Sequence, residues 1–140
     1  MGAFVAGQEL RAASETRLSQ KNVRVEPSQA NWVEVPATSY RVTDGLTQIP
    51  VTVTLGKFLL SPIEVTQREF EKVMGYNPSF HKGPDLPVET VSWWEAIRYC
   101  NARSLDDHLD PCYNLETGSC DVRQNGYRLP TDAEWQYANG

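Results

Sequence analysis

The 140-residue chain carries a formal net charge of −5 and is 40% hydrophobic and 10% aromatic, enough apolar material to bury an ordinary core and to exclude disorder over its whole length. Its Lys and Arg residues are scattered singly, which argues against nucleic acid or an anionic membrane as partner. No run approaches the roughly 20 apolar residues of a membrane span, the first residues lack the basic-then-apolar order of a secretory signal, and Ala6 stands where a myristoylation motif wants Ser or Thr; the expectation is a soluble, untargeted chain, cytoplasmic by default.

Residues 1–30 are rich in Ala, Ser, Gln and single charges, with isolated apolar residues such as Phe4, Leu10 and Leu18. They read as a loosely helical or poorly ordered leader or linker, and residues 31–140 as the domain. From Trp32 the texture changes. Trp32, Val33 and Val35, then Tyr40 and Val42, then Val51, Val53 and Leu55 alternating with Thr52 and Thr54, have the period of half-buried strands. Pro36 and Pro50 belong at strand ends or edges. Gly56 marks a bulge or turn, and Lys57 to Leu60 continues as a short strand or bend.

Three helix starts follow with one grammar. Thr66-Gln67-Arg68-Glu69, Ser92-Trp93-Trp94-Glu95 and Thr131-Asp132-Ala133-Glu134 each put a hydroxyl at the N-cap and a Glu three residues on. That reciprocal capping box satisfies two otherwise unpaired backbone N–H groups and stabilises each helix by about 1 kcal/mol. The first helix is expected near Thr66 to Met74, with Val65 and Phe70 as a hydrophobic staple, Phe70, Val73 and Met74 facing inward, and Gly75 as a left-handed cap. The second runs from Ser92 to about Arg103 with Trp94, Ile97 and either Cys100 or Asn101 on one face. Trp93 and Trp94, about 100° apart on a helix, cannot both be inside; one is expected in the core and the other at a loop-covered groove. The third helix begins at Thr131. Pro-rich and polar irregular loops, Gly75 to Leu86 and Leu105 to Asn125, separate the helices. Strands first, then short helices between long loops, argue α+β.

Cys100, Cys112 and Cys120 are too few and too widely spaced for a zinc ribbon. Cys100 reads as a small buried hydrophobe. Cys112 and Cys120 flank a stretch with a turn signal at Gly118, so a hairpin brings the two sulfurs together either as a disulfide in an oxidising compartment or as inert thiols. His81 and His108 lack a second ligand at metal spacing and read as surface residues. Asp106, Asp107 and Asp110 lack the Gly and terminal Glu of a hand-type calcium loop and read as a solvated acidic turn.

Three segments, in order, resemble the signature blocks of the formylglycine-generating enzyme (sulfatase-modifying factor) family: FLLSPIEVTQREF at Phe58 to Phe70, PVETVSWWEAIRYCN at Pro87 to Asn101, and GYRLPTDAEWQYA at Gly126 to Ala138. The resemblance covers about Trp32 to Gly140, the first half of the family domain. It implies a low-regularity α+β fold similar to the C-type lectin fold. Its enzymes oxidise a sulfatase cysteine to formylglycine with oxygen and copper held by a cysteine pair. Relatives form carbon–sulfur bonds with non-haem iron, and others serve as binding scaffolds.

The family's copper-binding cysteines and calcium sites lie beyond the RLPT block and match none of Cys100, Cys112 or Cys120, so no catalytic, cofactor-binding or metal-ligating residue is carried onto this chain. Arg128, Asp132, Glu134 and Trp135 are expected to serve the fold, with Glu134 closing its capping box, Arg128 pairing with a neighbouring carboxylate and Trp135 packing into the core; the functional alternative is an Arg128 that faces a substrate.

The leading expectation is thus part of an oxygen- and metal-dependent oxidase acting on a protein cysteine, a peptide or a small thiol. The alternative is a non-catalytic ligand- or protein-binding module on the same scaffold, using the long loops. A third expectation is a truncated product, molten or aggregation-prone alone, in which Trp135 lacks its covering surface.

Overall fold

The computed structural model describes residues 10–11, 32–61 and 63–139. Their order is β1 (Leu10–Arg11), β2 (Val33–Val35), β3 (Thr38–Thr43), β4 (Pro50–Leu55), β5 (Phe58–Leu60), α1 (Gln67–Met74), α2 (Trp93–Asp106), β6 (Tyr127–Arg128) and α3 (Asp132–Asn139). The architecture is α+β, with short elements and much irregular chain.

The strands form two sheets. One is four-stranded in the order β2-β5-β1-β6; the other is the β3–β4 hairpin. In the hairpin the register pairs Tyr40 with Val53 and Val42 with Val51, so the alternating apolar residues share one face. Asp44 shapes its turn: one carboxylate oxygen accepts the backbone N–H groups of Leu46 and Thr47 at 2.9 and 2.7 Å, the side-chain mimic of a backbone turn. Pro50 opens β4, where a missing N–H does least harm. β1 falls inside the stretch expected as a leader, paired with β5 and β6. The rest of that stretch lies outside the described residues.

Thr66 and Ser92 cap α1 and α2 with complete capping boxes. Gly75 ends α1 in the left-handed conformation at φ 81°, with its N–H on the Glu71 carbonyl, a backbone angle that glycine adopts without Cβ strain. The expected staple is present: Val65 and Phe70 are buried in one cluster with Val88, Val91, Ala96 and Tyr99, and Val73 and Met74 pack against it. Phe70 stacks on Tyr99 with ring centroids 5.3 Å apart. A second cluster, Val35, Leu55 and Phe58, joins the sheets to Ala133 of α3. A third, Cys100, Leu109 and Tyr127, joins α2 to β6.

α2 buries Ile97, Cys100 and Asn101 of its expected face and more besides. Ala96, Ile97, Tyr99, Cys100, Asn101, Arg103 and Ser104 are all buried, because α1 covers one side of the helix and β6 with its flanking chain covers another. Trp94 is not among them. Both Trp93 and Trp94 are exposed, at 41% and 45%, which corrects the expectation that one of them fills the core. Cys100 is fully buried, as expected of a small hydrophobe.

Candidate functional site

The GYRLP segment is the mechanical centre of the described chain. Ser104 accepts a hydrogen bond from the Tyr127 N–H at 2.8 Å while its hydroxyl donates to the Cys100 carbonyl at 2.7 Å. A Cβ on Gly126 would lie 2.3 Å from the Asp110 carbonyl oxygen and 2.7 Å from Ser104 Oγ; only glycine lets these backbones approach so closely. The Tyr127 hydroxyl donates to Asp107 at 2.6 Å, and the Arg103 guanidinium lies over the Tyr127 ring, 4.6 Å from its centroid.

Next along the chain, Arg128 and Glu134 form a buried ion pair, with Nη1 3.0 and 3.1 Å from the two carboxylate oxygens. This revises the third capping box. Thr131 Oγ1 does accept the Glu134 N–H, at 3.2 Å, but the Glu134 carboxylate takes the Thr131 hydroxyl and Arg128 instead of a backbone N–H. A buried guanidinium needs an anion more than an N-cap amide needs an acceptor, since the amide has water as an alternative. Arg128 Nε is buried with no hydrogen-bond partner among the described residues. Trp135 is 47% exposed, against the expectation of a core position. α3 is held through its other side: the Tyr40 hydroxyl donates to the Ala133 carbonyl at 2.6 Å, and the Tyr40 ring packs against Tyr137 at a tilt of 37°.

Two concavities flank this segment. A groove of about 490 Å³ runs between β4, β5 and the start of α3, lined by Val53, Leu55, Phe58, Arg128 and Glu134. A second, of about 390 Å³, lies between α1 and the end of α2, lined by Glu69, Lys72, Tyr99, Arg103, Asp106 and Asp107.

The irregular loop after α1 is pinned by one side chain that the sequence reading did not single out. Gln67 is buried and uses its whole amide: Nε2 donates to the carbonyls of His81 and Pro87 at 2.7 and 3.3 Å, and Oε1 accepts from Asn77 Nδ2 and the Gly83 N–H at 2.8 and 3.0 Å. A polar residue at the first helical position facing a Pro- and Gly-rich loop is the signal that could have found it. Thr90 stands at φ 59° before the second box, a left-handed conformation unusual for a β-branched residue.

Cys112 to Cys120 forms a hairpin. Tyr113 and Cys120 make an isolated antiparallel bridge, Asn114 and Ser119 are joined at 2.9 Å, and the Asp121 N–H donates to the Cys112 carbonyl at 2.7 Å. Asn101 of α2 docks it through both backbone groups of Tyr113. Gly118, at φ 77°, lies against Trp93, where a Cβ would come within 2.7 Å of the indole. Trp93 and Trp94 meet edge to face, 5.0 Å between centroids.

The remaining sequence candidates do not converge. His81 and His108 are exposed, and His81 lies 3.6 Å from Glu89. Asp107 is held by Tyr127, while the Asp110 N–H donates to Asn125. Asp132 is exposed in the first turn of α3. Among the described residues no group of three or more His, Cys, Asp or Glu side chains is arranged to hold a metal ion. No helix among the described residues is long and apolar enough to cross a membrane.

Comparison with known proteins agrees with this architecture. The family described as "Sulfatase-modifying factor enzyme 1-like domain" matches residues 16–140. "Chaperone protein LppX" of Paenibacillus barcinonensis is 44% identical, over 61% of this chain and 37% of its own length. The solved structure of "Treponema denticola variable protein 1" superposes with a TM-score of 0.67 at 30% identity, over 76% of this chain and 51% of that one. The chain thus spans about a third to a half of the relatives it matches. With the family matched over most of its length, from the β-hairpin through the Arg128–Glu134 pair, the chain belongs to the sulfatase-modifying factor, or formylglycine-generating-enzyme-like, family.

Proposed function

We propose that this chain is the amino-terminal framework of a formylglycine-generating-enzyme-like domain whose complete form is an oxygen- and metal-dependent oxidase of a protein cysteine or other thiol. The observation that supports the reading is the family match across residues 16–140, in a stretch whose buried polar groups are committed to holding loops and helices in place. Gln67 fixes the loop after α1, Asn101 fixes the Cys112 hairpin, and Arg128–Glu134 fixes the entry to α3. Polar groups spent on positioning make a rigid base on which reactive groups from elsewhere in a domain can be held in register.

The family resemblance puts the ligands of the metal, copper or non-haem iron, and of any calcium, beyond the RLPT block and so outside this stretch. The test is incubation of the full-length protein with copper(I), dioxygen and a sulfatase-type cysteine peptide, scored with a carbonyl-reactive probe. The expected product is a peptide aldehyde. A peptide that is bound but recovered with its thiol intact would contradict the reading and favour a binding module.

A further inference from the structure

The oxidase reading does not use Cys112 and Cys120. Cys112 is buried, with its sulfur 3.4 Å from the Gly126 carbonyl and 3.9 Å from that of Gln124. Cys120 is exposed. The hairpin between them closes through its own backbone, by the Asn114–Ser119 and Asp121–Cys112 hydrogen bonds and the Asn114 side chain that caps Glu116 and Thr117. The two positions are therefore brought together without any bond between the sulfurs.

Tyr113 pairs with Cys120, and the Asp121 N–H donates to the Cys112 carbonyl, so the two cysteines occupy neighbouring positions across the hairpin. Interaction with the Cys112 thiol, helped by the positive charge of Arg128 and opposed by burial, lowers the Cys120 thiol to about 7, and the same interaction with burial pushes the Cys112 thiol up. An exposed sulfur that is readily a thiolate beside a buried partner thiol is the division of labour found in dithiols that exchange with disulfides. Cys100, fully buried in α2, has no comparable access.

We propose that Cys112 and Cys120 are a thiol–disulfide exchange site, with Cys120 as the attacking sulfur and Cys112 as the resolving one. The substrate class is a small disulfide, RSSR. The Cys120 thiolate attacks one sulfur of RSSR, the S–S bond breaks, and RS⁻ leaves, giving the mixed disulfide Cys120–S–S–R. Cys112 then loses its proton and attacks the Cys120 sulfur, releasing the second RS⁻. Two protein thiols are oxidised by two electrons, and RSSR is reduced to two RSH that carry away the two protons. Closure ties the hairpin on which Gly118 meets Trp93, so the indole emission reports it.

The experiment is incubation of the reduced complete chain with glutathione disulfide, acid quenching, alkylation and peptide mass spectrometry. The wild type is expected to yield an internal Cys112–Cys120 disulfide with a change in Trp emission, and Cys100→Ser the same. Cys112→Ala is expected to stop at glutathione on Cys120, while Cys120→Ala leaves Cys112 unmodified. Alkylation of Cys120 should rise about tenfold from pH 5 to pH 6 and flatten above pH 7. A wild type that remains reduced in excess glutathione disulfide would overturn the proposal, as would oxidation that requires Cys100. Because the wild-type result stands alone, a variant that misfolds does not blunt the test.

Discussion

Nη1 of Arg128 lies 3.0 and 3.1 Å from the two carboxylate oxygens of Glu134, so that β6 is joined to the first turn of α3 by a pair whose members are both buried. Desolvating two such ions offsets much of their attraction, whereas removing one partner leaves an uncompensated buried charge. Arg128→Met is expected to cost about 3–5 kcal/mol. The double variant Arg128→Met with Glu134→Leu should recover most of that loss. Urea denaturation of the four proteins of this cycle measures it, and equal losses in the single and double variants would refute the argument.

Gly126 is squeezed between Ser104 and the Asp110 backbone. Gly126→Ala is expected to destabilise by about 1–3 kcal/mol, the range for overpacking a closed site. Adding Ser104→Ala should not rescue it, because the nearer obstacle, at 2.3 Å, is the Asp110 carbonyl oxygen. Thermal denaturation decides between the two outcomes.

Gln67→Leu keeps the side chain's size but leaves the His81 carbonyl, the Gly83 N–H and Asn77 without the partner they have. Unpaired buried polar groups cost about 1–3 kcal/mol each, and the loop after α1 can relax to hydrate some of them. The expected loss is about 2–4 kcal/mol, with faster amide exchange at Gly83. Unchanged exchange there would show that the loop is held by other means.

The Tyr76 hydroxyl donates to the Glu95 carboxylate at 2.6 Å. That bond is the main reason the Glu95 carboxyl sits below its ordinary value, with Ser92 assisting and burial opposing. A carboxyl depressed in the folded state adds stability above its unfolded value and loses it as pH falls through the folded one. Tyr76→Phe is therefore expected to cost about 0.5–1 kcal/mol at pH 7, a difference that shrinks as pH falls towards 3. A difference that stays constant across that range would contradict the linkage.

Much of the fold was legible in the residues. The alternation of Val51, Val53 and Leu55 reads directly as β4, and the Thr66 and Ser92 boxes mark their helix starts because capping chemistry is local. The third box misled because a tertiary partner, Arg128, competes for Glu134, and no local pattern reveals which donor wins. The stripe assigned to α2 held for Ile97, Cys100 and Asn101 but missed at Trp94, and it missed the breadth of the burial: a helix covered on two sides buries Tyr99 and Asn101 together, so no single face stands out. Trp93 and Trp94 lie outside because the hairpin comes up beside them and not over them. A two-residue strand such as β1, set among polar neighbours, carries no periodicity to detect. Of the candidate sites, the hairpin that joins Cys112 to Cys120 could be anticipated from Gly118, whereas Gln67's role needs the loop in place.

The proposed activity is oxidation of a cysteine thiol with dioxygen by the complete domain built on this framework. Its most direct test is the mass of a sulfatase-type cysteine peptide after incubation with the copper-loaded full-length protein, in air and under argon in parallel. Conversion of the thiol to the aldehyde is expected in air alone. Intact thiol under both atmospheres, with copper bound and the protein folded, would contradict it.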